Sequence, residues 1–338
     1  MPLLEVDHLS VHFRSPSGTV YAVNDISYSL SEGETLVVIG ESGSGKSVHA
    51  LAIAGLLPPS PATTTSGQIR FLGRNLTGLS GAELRRIRGS QIGYVFQDPM
   101  SSLNPVLTIG HQLEDVLRAH LQLSKNAARN RAAELLDLVH ITAPLRVLRQ
   151  YPHQLSGGMR QRVSIAIAIA CKPKLLIADE PTTALDVTIQ SQIVGLIRDL
   201  KRQLSMAVLW ITHDMALTAG IADTVQVMYG GRLLERGPTR SIFADPRNAY
   251  TFGLLHSIPG AGQAKGTRLF QLSGQPPSAH TPPIGDPFAP RNPFATERCL
   301  REMPPLSPVS DGPPDHLVAA WYDLRTKLAT STVGDQPW

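Results

Sequence analysis

The chain has 338 residues, with 31 Lys+Arg against 27 Asp+Glu and a formal net charge of +4. That length exceeds the ~250–300 residues at which one hydrophobic core stops growing, so one large domain with an appendage is expected. Hydrophobic residues at 42% and charged residues at 17% exclude a wholly disordered chain and a polytopic membrane protein, and a charge of +4 is too dilute to argue for a nucleic-acid partner.

In chain order, the start MPLLEVDHLS carries Glu5 and Asp7 and lacks a basic stretch followed by an apolar run, so no secretory signal is expected there. LEVDHLSVHF (4–13) and YAVNDISYSL (21–30) flank the turn-rich Ser15-Pro16-Ser17-Gly18 and predict an antiparallel pair. ETLVVIG (34–40) is a short apolar run, the pattern of a buried parallel strand. The same pattern recurs in IGYVF (92–96), KLLIAD (174–179), MAVLWIT (206–212) and TVQVMYG (224–230). Helical patterns fall between them at 47–55, 109–120, 125–139, 157–170, 188–203 and 214–221. Strands alternating with helices predict an α/β fold around a largely parallel sheet. The mostly helical stretch of about 98–160 predicts a helical subdomain. No run approaches the ~18 uninterrupted apolar residues of a membrane span, so any membrane contact is expected to go through a partner.

After residue 257 the texture changes: 12 of the 27 prolines lie between Pro276 and Pro314. Such a stretch predicts an extended, poorly packed extension over 258–338. A short amphipathic helix is expected at 316–329, where Leu317, Ala320, Trp321, Leu324 and Leu328 share a face. Cys171 and Cys299 give no disulfide framework and fit idle thiols in a reducing compartment. No internal repeat is expected.

Gly40-Glu41-Ser42-Gly43-Ser44-Gly45-Lys46-Ser47 matches GxxxxGK[ST] between a predicted strand and a predicted helix. A di- or triphosphate needs many N–H donors pointing inward, and glycines let the backbone curl around it without Cβ clashes. Lys46 would bridge the outer phosphates, Ser47 would ligate Mg²⁺, and the following helix would add its positive end. KLLIADE (174–180) is a buried strand ending in two acids, at the end where parallel sheets bind ligands. Asp179 would hold Mg²⁺ through water and Glu180 would polarise the attacking water. In LSGGMRQR (155–162), Ser156, Gly157 and Gly158 precede a helix and present a hydroxyl and free N–H groups at its positive end. One nucleotide does not need two such loops, so the economical reading is that this one caps the γ-phosphate held by another subunit.

Together, the phosphate loop, LSGGMRQR and LLIADEPTTALD resemble the ATPase subunit of an ABC transporter over residues 1–257. The resemblance implies a P-loop NTPase fold with a RecA-like parallel-sheet core, an antiparallel β subdomain and a helical subdomain, using ATP and Mg²⁺. Gln97, in FQDP (96–99), resembles the glutamine that reaches Mg²⁺ and the attacking water while sensing the membrane partner. His213, in WITHD (210–214), resembles the switch histidine at the γ-phosphate, and Asp186, in TALD (183–186), the acid that crosses to the opposite site. Phe13 fits the aromatic that stacks on adenine; Tyr21 is its competitor, and a core aromatic is the plain alternative for either.

FQDPMSSLNP (96–105) and YPHQLSGGMRQRV (151–163) are similar to the oligopeptide/dipeptide importer subfamily, whose members serve peptides, nickel and related solutes. GDPFAPRNPFATERCLREMPPL (285–306) with HLVAAW (316–321) resembles that subfamily's proline-rich tail. Many members place cysteines at the positions of Asp286, Asn292, Cys299 and Ala320, where they can ligate an iron–sulfur cluster. Here only Cys299 remains, and a cubane cluster needs about four thiolates, so no cluster is expected. The implied partners are a second ATPase subunit (commonly a different chain), two transmembrane permease subunits and an extracytoplasmic solute-binding protein. The implied location is peripheral, on the cytoplasmic face of the inner membrane. Two other classes compete. A soluble ABC-type ATPase acting on nucleic acid or ribosomes usually carries coiled coils, zinc cysteines or tandem domains, and a small-molecule phosphate-loop kinase would not need the loop at 155–158.

Overall fold

The structure, a computed structural model, describes residues 2–183, 185–258 and 272–330. Ala184 of the TALD motif, and residues 259–271 and 331–338 of the expected extension, lie outside the described residues. The chain divides into two compact units, one of Met1–Leu4, Ser29–Thr35 and Arg70–Ile211, the other of Glu5–Tyr28, Leu36–Ile69 and Thr212–Trp338.

The first unit is built on parallel strands. Ile92–Val95 pairs with Leu175–Asp179 from Ile92↔Leu175, and Leu175–Asp179 pairs with Ala207–Thr212 up to Asp179↔Ile211. Every residue of the latter two strands is buried, as continuous apolar runs covered on both faces require. Between Val95 and Leu175 the chain is helical. Ile109–Leu121 and Lys125–Leu138 pack on one another. The first buries Leu113 and Leu117, and the second buries Ala128, Ala132 and Leu135. Each starts at a hydroxyl cap that absorbs an orphan helix N–H, Thr108 for His111 and Ser124 for Ala127. The longer helix Val187–Leu204 buries Ile193, Leu196, Ile197 and Leu200 on one stripe.

The second unit carries the hairpin of Leu4–Ser15 and Gly18–Leu30, turning at Pro16-Ser17 as its sequence predicts. Thr35–Ile39 runs parallel to Thr224–Tyr229, in register from Leu36↔Thr224 to Ile39↔Val227. Thr224–Tyr229 turns at Gly230-Gly231 into the antiparallel Arg232–Pro238.

The tail departs from expectation here. Leu317–Ala319 is a strand that pairs antiparallel with Arg232–Pro238 at Glu235↔Val318 and with Leu306–Pro308 at Ser307↔Val318. The helix expected over 316–329 is confined to Leu324–Thr330. Residues 317–319 instead meet the free edge of a neighbouring strand, and an edge that satisfies backbone groups outweighs a weak local preference. Nor are the described residues of the extension poorly packed. Phe288, Phe294 and Leu324 are buried in one cluster with Ile39, Val225, Val227, Tyr229, Leu234 and Tyr250. Fully buried Glu235 accepts from the backbone N–H of Arg247 (2.7 Å) and Asn248 (3.0 Å), and its other contact is His316 Nε2 in the tail at 2.8 Å. Trp321 donates its indole N–H to the Glu302 carbonyl and lies 3.4 Å beneath the Arg298 guanidinium. Among the described residues, no helix is long and apolar enough to cross a membrane.

Candidate active site

In the second unit the fully buried strand Thr35–Ile39 delivers the chain to the glycine-rich loop. Two of its glycines are sterically obligatory. A Cβ on Gly40 would lie 2.1 Å from the Met228 carbonyl oxygen, and one on Gly45 would lie 2.2 Å from that of Ala22. Gly45 also adopts φ +95°, a left-handed value from which the helix Lys46–Ile53 starts. Lys46 folds back across the loop. Its Nζ donates to the carbonyls of Gly40 (2.8 Å) and Glu41 (2.9 Å) and to Ser44 Oγ (3.4 Å). Ser42 and Gly43 are exposed at the tip, Ser44 is buried, and Ser47 is half-buried in the first helical turn. Glycines that admit no side chain, an ammonium across the cradle and a helix N-terminus behind it fit a polyphosphate. Behind the loop, His49 is fully buried against the Tyr28 hydroxyl. Burial pushes its imidazole down to about 3, so it stays neutral and packs the helix. Sequence reasoning gave His49 no role, and no motif marks it.

The first unit gathers a carboxylate cluster. Asp179 ends the strand Leu175–Asp179, buried, and accepts from the Tyr94 hydroxyl at 3.0 Å. Burial, reinforced by the charge of Asp179, pushes the Tyr94 hydroxyl upward, so it remains a donor. Glu180 takes φ +45° and donates its own N–H to the Ile211 carbonyl at 3.0 Å. A left-handed non-glycine residue costs about 1–3 kcal/mol and persists where its surroundings over-determine it. Glu180 Oε2 accepts from Gln97 Nε2 (3.1 Å) and Thr183 Oγ1 (2.8 Å). The structure therefore brings the predicted Gln97 and Glu180 together and adds Thr183 and Tyr94 as orienting donors. Two donors on the same oxygen fix the orientation of the Glu180 carboxylate.

The helix Gly157–Ile169 begins at Ser156, whose exposed hydroxyl accepts from Met159 N–H at 3.3 Å. Gly157 and Gly158 form its first turn, and a Cβ on Gly158 would approach Ile189 Cγ2 to 3.0 Å. Asp186 is exposed and caps the helix Val187–Leu204 by accepting from Ile189 N–H at 2.9 Å. In the second unit His213 is exposed just past the strand Ala207–Thr212, ahead of Asp214, which caps Met215–Ala219. Phe13 is half-buried on Leu4–Ser15. Tyr21 stacks edge-on against His12 at 4.7 Å and, with Gly43, lines a cavity of about 270 Å³ walled by tail residues of 277–290. Phe13 is not on that wall.

The four tail positions converge only in part. Asp286 donates its backbone N–H to the Cys299 carbonyl at 2.8 Å, and Asn292 donates its side-chain amide to the Tyr322 hydroxyl at 2.6 Å. Cys299 is buried with its Sγ 3.3 Å from Thr296 Oγ1, and Ala320 offers no donor atom. This set holds one thiol.

Comparison with known proteins agrees with these elements. Residues 23–183 match the ABC transporter family, and residues 234–299 match the oligopeptide/dipeptide transporter C-terminal region. The chain is 47% identical over 319 residues to the oligopeptide transport ATP-binding protein OppD of Bacillus subtilis, covering 94% of this chain and 88% of that protein. It is 48% identical over 312 residues to the dipeptide transport ATP-binding protein DppD of Escherichia coli, covering 92% of this chain and 95% of that one. The dimeric ATP-binding cassette MJ0796 bound to ADP and Pi matches with a TM-score of 0.63 at 29% identity, over 70% of this chain and 99% of that one. The chain belongs to the ABC transporter ATPase family, in its oligopeptide/dipeptide branch, and is an α/β subunit that hydrolyses ATP to power transport.

Proposed function

We propose that this chain drives uptake of di- or oligopeptides, or a related solute, as one half of an ATP-operated clamp. Each ATP sits between the Gly40–Ser47 cradle of one ATPase subunit and the Ser156–Gly158 turn of its partner. The observation that supports this reading is that one chain carries two loops suited to an anion, a glycine cradle bridged by Lys46 and an exposed serine-capped helix start. Residues 1–257 form the ATPase domain, with a helical subdomain at about 98–160, and 258–338 form the extension.

Within each half-site Lys46 holds the outer phosphates, the loop Gly40, Glu41, Ser42, Gly43, Ser44, Gly45 supplies the cradle, and Phe13 stacks on adenine. Ser47, Gln97 and Asp179 would hold Mg²⁺, which would supply positive charge against the phosphate oxygens. Glu180, aimed by Gln97 and Thr183, takes a proton from the attacking water, while His213 contacts the γ-phosphate. Asp186 of the partner completes the opposite site. ATP must favour the closed pair over the open one, or no motion follows. The partners are a second ATPase subunit, commonly a different chain, two transmembrane permease subunits, which this chain meets peripherally at the cytoplasmic face of the inner membrane, and an extracytoplasmic solute-binding protein. One thiol among Asp286, Asn292, Cys299 and Ala320 supports a tail that carries no iron–sulfur cluster.

The test is a map of the assembled transporter carrying Glu180→Gln with Mg-ATP. Hydrolysis is expected to be largely lost, and Ser156 to contact the γ-phosphate bound to the facing subunit. Residues 155–158 far from every triphosphate would refute the clamp, and unchanged turnover would remove Glu180 as base.

A further inference from the structure

The proline-rich tail reaches the phosphate loop through one side chain. Arg291 closes the short helical turn Ala289–Arg291, and its side chain is only 6% exposed. Its guanidinium forks onto Glu41, the second residue of the loop, with Nη1 donating to Oε2 at 2.7 Å and Nη2 to Oε1 at 3.1 Å. The remaining donors are engaged as well: Nη1 to the Tyr229 hydroxyl (2.8 Å), Nη2 to the Leu272 carbonyl (3.2 Å) and Nε to the Ser273 carbonyl (2.8 Å). The cation also lies 5.6 Å and 5.8 Å from the ring centroids of Tyr229 and Phe288. All five N–H groups of a guanidinium are thus used, which fixes its position far more tightly than a surface ion pair would.

Glu41 is held from every side. Its backbone N–H donates to the Tyr250 hydroxyl at 2.8 Å, its carbonyl accepts from Lys46 Nζ at 2.9 Å, and its carboxylate takes the Arg291 fork. An independent feature sets the tail beside the loop: Gly43 and residues of 277–290 line the same cavity.

The electrostatic consequence follows from sign. A carboxylate within a loop that receives a polyphosphate opposes the incoming anion, most strongly where water is thin. Paired with Arg291 it is neutralised and its backbone is pinned. We propose that Arg291 is a positioning residue of the ATPase, a tail-borne clamp that neutralises Glu41 and shapes the phosphate loop, so that nucleotide affinity depends on the docked extension. This rests on the reading of Gly40–Ser47 as the phosphate cradle.

The experiment measures Mg-ATP and ADP affinity by calorimetry, thermal melting without nucleotide, and ATPase kinetics of the assembled complex for Arg291→Met, Arg291→Lys and Glu41→Gln/Arg291→Met. In Arg291→Met, Kd and KM are expected to rise about tenfold while kcat stays within about twofold. Arg291→Lys keeps the charge without the fork and is expected to weaken binding about threefold. Removing the stranded carboxylate in the double variant is expected to recover most of the affinity, which a merely structural role for Arg291 would not produce. A folded Arg291→Met within twofold of wild type, or a double variant as weak as Arg291→Met, overturns the proposal. Should Arg291→Met not fold, wild-type affinity in Arg291→Lys overturns it instead. Lys46→Ala separates the two layers. If it loses nucleotide while Arg291→Met keeps it, only the clamp fails; if it binds normally, the cradle reading itself fails.

Discussion

The phosphate loop at 40–47 and the tail at 276–323 contain little regular structure, yet they are held in opposite ways. The loop is fixed through its backbone: glycines where a Cβ cannot fit, and Lys46 Nζ on two carbonyls. Outside its two short strands, the tail is fixed through side chains that reach outward. Asp286-Pro287-Phe288 and Asn292-Pro293-Phe294 are two copies of one turn, in which the acid or amide oxygen accepts the Phe N–H, at 2.9 Å and 3.0 Å. Each turn delivers a phenylalanine into the buried cluster. An element held by its own backbone can be tuned only by what touches it. One held by anchors can be released by removing a single anchor.

That contrast predicts its own largest break. Phe288 is 1% exposed and packs at 5.1 Å and 5.4 Å from the rings of Tyr250 and Tyr229. Phe288→Ala is expected to cost about 3–5 kcal/mol, read from urea or thermal melts. A variant as stable as wild type would mean that the tail is laid on the core rather than built into it.

Next in size is the loop's own anchor. Lys46→Ala removes the ammonium across the cradle, and charge-assisted hydrogen bonds of this kind are worth about 1.5–3 kcal/mol, so nucleotide binding should weaken by one to two orders of magnitude. Because Lys46 holds two loop carbonyls, the melting temperature without nucleotide should also fall slightly. Calorimetry and melts together check both, and wild-type affinity would contradict the role given to Lys46.

The same contrast explains what could be read from residues alone. Gly40–Ser47, Ser156–Gly158 and the Asp179-Glu180 pair depend on local backbone geometry, which is written as spacing within a few residues. Thr183 and Tyr94 escaped notice because each matters only through the carboxylate it meets. For Tyr94 that partner is 85 positions away, and for Arg291 it is 250 away. The strand at 317–319 was invisible because its reason is the edge of Arg232–Pro238, and the apolar spacing around it suits a helix equally well. The paired Asx-Pro-Phe turns were legible in principle. A repeated residue that caps its own chain, set before a proline and an aromatic, marks an anchored turn and not a loose linker.

The smallest effect concerns the acid in the first of those turns. Burial pushes the Asp286 carboxyl up to about 6, against the pull of the Phe288 N–H. Its folded value thus lies above the ~4 expected for the unfolded chain, and the folded state holds the proton more tightly. Protonation therefore stabilises the fold fully below pH ~4, and that contribution is lost as pH rises through about 6. Tyr229 and Tyr322 nearby are both pushed upward by burial and do not titrate in this window. Asp286→Asn keeps an oxygen for the Phe288 N–H but carries no charge. Its advantage over wild type should be near zero at pH 4 and grow to about 2 kcal/mol at pH 8. Paired melts across that range measure the difference, and an Asn variant no more stable than wild type at pH 8 would show that the tail's buried acid is paired after all.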